Sequence, residues 1–205
     1  MKKLTSIAMT MLLALMPMNI AFAGDPSATI NISSKSAILM DVGSGQILYE
    51  KNAHDKLPPA SVTKVMTMLL ICEALDSGKV KLDDKVQISE NAASMGGSQI
   101  FLEPGETQDV NTLLKGIAVA SANDGCVAMA EHIAGSVEAF VDMMNKKAQS
   151  LGMKDTHFAN TNGLPVDDHY TSAHDIALMS RELLKHETIH KYLTTWMDKV
   201  VVGKK

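Results

Sequence analysis

Between Pro58-Pro59 and Gly78 the chain carries a run, Ser61 to Leu75, that is apolar almost all the way round a helix. A helix without a polar face has to be covered on every side by other elements. This segment is therefore expected at the centre of a domain, with the rest of the sequence arranged as its coat. The two prolines force extended backbone up to Ser61, and Gly78 supplies a stop near the helix end.

Much of the coat can be read as well. Ser36 to Glu50 predicts a β-hairpin, with Ala37 to Val42 as one strand, Gly43-Ser44-Gly45 as the turn and Gln46 to Tyr49 returning. Val86 to Gly105 is glycine-bearing and reads as an irregular folded loop around Ile100-Phe101-Leu102. Helices are expected from Val110 to Ala120 and from Asp124 to Ala134, interrupted only by Ser121-Ala122-Asn123. Another should run from a Ser136 N-cap, with Glu138 in its first turn, to Gly152, and a further candidate helix should start near Ser172. Antiparallel strands followed by a cluster of helices define an α+β chain, and no internal repeat or long linker divides it.

Composition narrows the class of function. With 46% apolar residues, 20% charged residues and a net charge of −4, the chain is neither a disordered polymer nor a polytopic membrane protein. It also lacks the basic field that nucleic-acid binding requires, so no nucleic-acid partner is expected. Lys2 and Lys3 precede an apolar stretch from Ile7 to Ile20, and Ala21-Phe22-Ala23 forms an A-x-A cleavage signature. Residues 1–23 therefore read as a secretory signal peptide, with Pro17 and Asn19 arguing against a membrane-spanning helix, and residues 24–205 as the exported domain. The expected location is extracytoplasmic, in the periplasm or at the cell surface. Cys72 and Cys126 both lie in apolar helical runs and are expected to be unpaired buried thiols even in an oxidising compartment.

The chemistry-bearing residues stand at the start of the central helix. Ser61-Val62-Thr63-Lys64 sets a hydroxyl and an amine three residues apart, on one face and a turn from each other. Positive partial charge at the helix start favours an oxyanion there. For Lys64 to take a proton from Ser61 it must be uncharged, which from a pKa of ~10.4 costs roughly 4 to 5 kcal/mol at neutral pH unless burial depresses it. An S-x-x-K string arises about once by chance in such a chain. Its position behind Pro58-Pro59 on the most apolar helix, with Ser121-Ala122-Asn123 breaking a second apolar pair, is what gives it meaning.

In these residues the chain resembles the low-molecular-mass penicillin-binding proteins, and within them the serine-type D-alanyl-D-alanine carboxypeptidases. The similarity runs from Ser36 to about Lys199. It includes Pro59-Ala60-Ser61-Val62-Thr63-Lys64, Gly97-Ser98-Gln99-Ile100-Phe101-Leu102, Ser121-Ala122-Asn123-Asp124, Thr156-His157-Phe158 through Asn162-Gly163-Leu164, and Tyr170-Thr171-Ser172-Ala173. The resemblance implies a β-lactamase/transpeptidase-like fold. It implies Ser61 as acylated nucleophile, Lys64 as general base, Ser121 as proton relay to the leaving amine, Asn123 as a brace for substrate and Lys64, and Asn162 on the substrate side. The implied substrate is a peptidoglycan stem peptide ending in D-Ala-D-Ala, β-lactams would acylate the same serine, and no cofactor is involved.

The family's third motif, K-T-G on a sheet strand, is absent from the 205 residues. That strand supplies an oxyanion donor worth roughly 3 to 4 kcal/mol of transition-state stabilisation, and its lysine clamps the substrate carboxylate. The expectation is therefore an incomplete catalytic domain, cut before the later sheet strands. Alone it should be poorly soluble and without carboxypeptidase turnover, and any membrane attachment should come from a C-terminal anchor outside this chain.

Three other readings compete. His186-Glu187-Thr188-Ile189-His190 matches H-E-x-x-H and would suit a zinc peptidase, but only Asp198 follows as a further ligand type. A class A β-lactamase would need a deacylating glutamate, and none lies between Asp155 and Leu164. A non-catalytic chain that binds cell-wall peptide or β-lactam is the third. His132, His157, His169 and His174 show no ligand spacing and read as packing or surface residues.

Overall fold

The structure, a computed structural model, describes residues 32–203, so the signal-peptide segment lies outside the described residues. The unit that begins at Ser34 holds the elements of the fold. It opens with the expected hairpin, β1 (Ala37–Met40) against β2 (Ile47–Lys51), antiparallel with Leu39 opposite Tyr49 and an irregularity between Leu39 and Met40. Its turn is tied twice. The Asp41 carboxylate accepts from Ser44 N and Oγ, which holds its pKa below the usual range, and Gly45 turns at φ +77°. Arg181 donates to the carbonyls of Val42 at 2.7 Å and Gly43 at 2.9 Å, fastening the turn to a later helix.

The apolar run forms a 3-10 turn over Ala60–Thr63 and then α1 (Lys64–Asp76). Met66, Leu69, Ile71 and Cys72 are fully buried, as a helix with no polar face requires. Its coat is α3 (Val110–Ala120), α4 (Asn123–Ala134), α5 (Val137–Ser150), α6 (Ala173–Leu183) and α7 (Glu187–Leu193), all of which pack on it. Asp109, Ser136 and Ser172 cap α3, α5 and α6 by accepting the amide three residues on, each cap contributing about 1 kcal/mol. Between α1 and α3 the chain holds β3 (Lys85–Gln87), a short α2 (Glu90–Ala93) and β4 (Thr107–Asp109), with β3 antiparallel to β4. Most of β3 and all of α2 fall within Val86 to Gly105, the segment read as irregular, because elements of three or four residues are too short for periodicity to show in the sequence.

Both cysteines are free and buried, as expected, and burial pushes each thiol up to about 12, so both stay protonated and inert. Among the described residues no helix is long and apolar enough to cross a membrane. The segment from Thr156 to Thr171 returns to the approach of Ser61 through paired bridges, Leu57 with Thr171 and His157 with Tyr170. Buried Asp175, at the start of α6, fixes that return by accepting from Asp155 N and Thr156 Oγ1, both at 2.8 Å.

Candidate active site

The 3-10 turn decides the geometry of Ser61 and Lys64. At three residues per turn, positions i and i+3 eclipse, whereas in an α-helix they would be offset. Lys64 Nζ accordingly lies 3.1 Å from Ser61 Oγ. Ser61 itself is exposed, and Lys64 is only 3% exposed. Burial lowers the pKa of Lys64. The push toward an uncharged amine that the chemistry demands is therefore present in the fold.

A second bond fixes the amine. Nζ donates to the carbonyl of Asn162 at 2.7 Å. Asn162 thus enters the site through its main chain. Its side chain is turned back, Oδ1 accepting from Leu164 N and Nδ2 facing Met95 Sδ. Loop 160–164 is held to α1 by Thr67 Oγ1, which donates to Thr161 O at 2.6 Å. On its other side Gly163, at φ +89°, lies flat against the backbone of Ala60, itself at φ +46°. A non-glycine residue in that left-handed region costs of order 1–3 kcal/mol and persists only where its surroundings fix it.

Ser121 caps α3 in the left-handed conformation, φ 55° and ψ 38°, and is half-buried. The break between α3 and α4 is thus a sharp turn. Asn123 opens α4 and is buried. Its amide Nδ2 donates to Gly96 O at 2.7 Å and its main-chain N–H to Ser98 O at 2.8 Å. The side chain expected to brace substrate and Lys64 therefore holds loop 96–98, while Lys64 bonds Ser61 and Asn162. Gly97 permits the approach, since a Cβ there would stand 2.8 Å from Asn123 Nδ2. The fully buried carboxylate of Asp124 extends the clamp, accepting from the amides of Ile100, Leu102 and Gly125. The sequence marks Asp124 as a helix start and as part of the S-A-N-D string, and nothing in its spacing reveals that it organises a loop two dozen residues earlier.

His169 is another residue whose role the sequence left as packing. Its Nδ1 accepts from Ala159 N at 2.9 Å, so in the neutral ring the proton sits on Nε2, which donates to Thr63 Oγ1 at 2.8 Å. It thereby pins the turn between Ser61 and Lys64. Burial lowers its pKa from 6.5, with His157 adding to the effect. Below about pH 6.5 the unfolded chain takes a proton that the folded chain refuses, so stability falls with falling pH by up to ~1.4 kcal/mol per unit until the folded pKa is reached. Thermal melts between pH 7 and 5 are expected to show this loss, and His169→Gln should flatten it. An unchanged slope in the variant would show that the ring does not titrate as described.

The H-E-x-x-H string does not assemble a site. His186 precedes α7 and its Nδ1 bonds Asp76 at 2.5 Å, while His190 Nε2 bonds Leu184 O at 3.0 Å. Among the described residues no group of three His, Cys, Asp or Glu is placed to hold a metal ion.

An exposed serine with a buried lysine at its side thus stands on a helical cluster beside an antiparallel hairpin. Solved structures share this fold. The chain superposes on the D-alanyl-D-alanine carboxypeptidase DacD from Francisella tularensis with a TM-score of 0.79 at 40% identity, over 81% of this chain and 40% of that one. It superposes on penicillin binding protein 6B from Escherichia coli with a TM-score of 0.76 at 39% identity, over 82% and 54%. In sequence it is 53% identical over 201 residues to D-alanyl-D-alanine carboxypeptidase DacF of Bacillus subtilis, across 97% of this chain and 52% of the relative. Residues 22–205 match the peptidase S11 family, described as D-alanyl-D-alanine carboxypeptidase, and the chain belongs to that family. It spans about half the length of the curated relatives it matches.

Proposed function

We propose that this chain carries the acylation centre of a D-alanyl-D-alanine carboxypeptidase that removes the terminal D-alanine from peptidoglycan stem peptides outside the cytoplasm. Ser61 Oγ attacks the carbonyl of the penultimate D-alanine, and its proton passes to Lys64 Nζ. The amine can accept it because burial favours its uncharged form. The turn leading into α1 presents positive partial charge toward the developing oxyanion. Ser121 relays the proton to the departing amine of the terminal D-alanine, and water then hydrolyses the ester. Asn123 shapes the substrate-facing wall through loop 96–98. Asn162 holds the base and flanks the substrate.

The observation that carries this reading is the 3.1 Å approach of Lys64 Nζ to Ser61 Oγ. β-Lactams present a strained amide to the same serine, and without a deacylating glutamate between Asp155 and Leu164 the acyl-enzyme is expected to be long-lived. Incubating the chain with a fluorescent penicillin, then digesting it and mapping the label by mass spectrometry, is expected to place one adduct on the peptide containing Ser61, absent in Ser61→Ala. Reversible binding with no adduct would instead select the non-catalytic, peptide-binding reading.

A further inference from the structure

One side chain, Asn160, makes three of the bonds that shape loop 160–164. Asn160 Oδ1 accepts from the amides of Asn162 at 3.2 Å and Gly163 at 2.7 Å, and its Nδ2 donates to Leu164 O at 2.8 Å. Three main-chain groups within five residues are thus satisfied from a single amide, which curls the loop tightly. The outer product of that curl is the Asn162 carbonyl, aimed at Lys64 Nζ. Asn162 cannot steer its own carbonyl, because its side chain is spent on Leu164 N and Met95 Sδ.

The consequence for the amine follows from donor and acceptor counting. A carbonyl only accepts, so it takes an N–H of Lys64. An uncharged amine tethered in this way has its lone pair free to meet the hydroxyl hydrogen of Ser61, 3.1 Å away. We propose that Asn160 is a positioning residue for the Ser61–Lys64 pair, holding the Asn162 carbonyl on the amine and closing the loop over it against water. The proposal rests on the reading of Ser61 and Lys64 as nucleophile and base, and its test is independent of turnover.

The test follows the ionisation of Lys64 directly in the 205-residue chain by NMR of lysine labelled at Cε, with the Lys64→Arg spectrum giving the assignment. Cys126, the titratable neighbour of Lys64 on α4, is the same in every variant. In Asn160→Ala the loop loses its three bonds, water reaches the amine, and the Lys64 midpoint is expected to rise by about one pH unit toward that of an exposed lysine. Asn160→Ser, whose hydroxyl can replace one acceptor, is expected to move it less, and provides the reading if the alanine variant does not fold. Asn145→Ala is the control for a purely structural asparagine. Asn145 also bonds main chain, at Phe158 N and O, but outside the curl, and its loss should leave the Lys64 midpoint in place. A Lys64 midpoint unmoved by the Asn160 variants, or moved as far by Asn145→Ala, would overturn the proposal. Failure of penicillin to label Ser61 would instead count against the nucleophile reading.

Discussion

Replacing Lys64 with methionine is expected to slow acylation of Ser61 by penicillin by about 10²- to 10⁴-fold, the range that a positioned general base supplies. Lys64→Arg should be as impaired, and it is the more telling variant. A guanidinium keeps the positive charge and the donors to the Asn162 carbonyl but cannot give up its proton near neutral pH. If Lys64 served only as a fixed positive charge beside an oxyanion, arginine would preserve much of the rate. Loss in both variants, measured as the second-order rate of label appearing on Ser61, separates a base from a charge. Stability should change little in Lys64→Met, because relief of amine desolvation offsets the carbonyl left unpaired at Asn162.

Gly163→Ala is expected to be the most damaging glycine-to-alanine change among the described residues. The added Cβ would overlap the carbonyl of Ala60 and come within 3.0 Å of Ser61 N, so backbone on one side has to move. No rotamer relieves a Cβ contact, and the φ of +89° is unfavourable for alanine as well. The left-handed conformation alone costs about 1–2 kcal/mol, and displacement of Ala60 adds to it. The expected result is a clear drop in thermal midpoint together with loss of Ser61 labelling, since the displaced segment is the one that carries the nucleophile. Gly78→Ala is the comparison, because Gly78 has φ +71° but no atom within 4 Å of a Cβ. It should show the conformational cost without the clash, and leave labelling intact. Equal behaviour of the two variants would mean that the contact with Ala60 is not tight.

The contrast between these two glycines shows where the sequence stops being informative. Gly78 was legible as a helix stop, because what it does is local. Gly163 was visible only within the Asn162-Gly163-Leu164 string of the resemblance, and its importance comes from Ala60, a hundred residues away. The same division runs through the molecule. Helix α3, the Ser136 cap and the helix start near Ser172 follow from periodicity and neighbouring residue types, and the structure places them as expected. The spacing of Ser61 and Lys64 was legible too, although the 3-10 turn that eclipses them was not, since both helix types accept the same residues over four positions. Asn162 was anticipated on the substrate side and is found giving its carbonyl to Lys64, a group that every residue possesses and no sequence pattern marks. Asn123 was anticipated beside Lys64 and is found holding loop 96–98, because whether an amide reaches left or right depends on where a distant loop returns. Asp124 and His169 organise the site from behind through main-chain and hydroxyl partners that only the folded chain brings near.

The pH dependence of Ser61 acylation tests most directly whether a buried, uncharged amine activates the hydroxyl. In the unaltered chain the rate should climb with pH through a single midpoint below the ordinary lysine value of about 10.5, as burial of Lys64 dictates, and the same midpoint should appear in the Lys64 NMR titration. A rate that is flat with pH, or a midpoint that persists in Lys64→Met, would contradict the account.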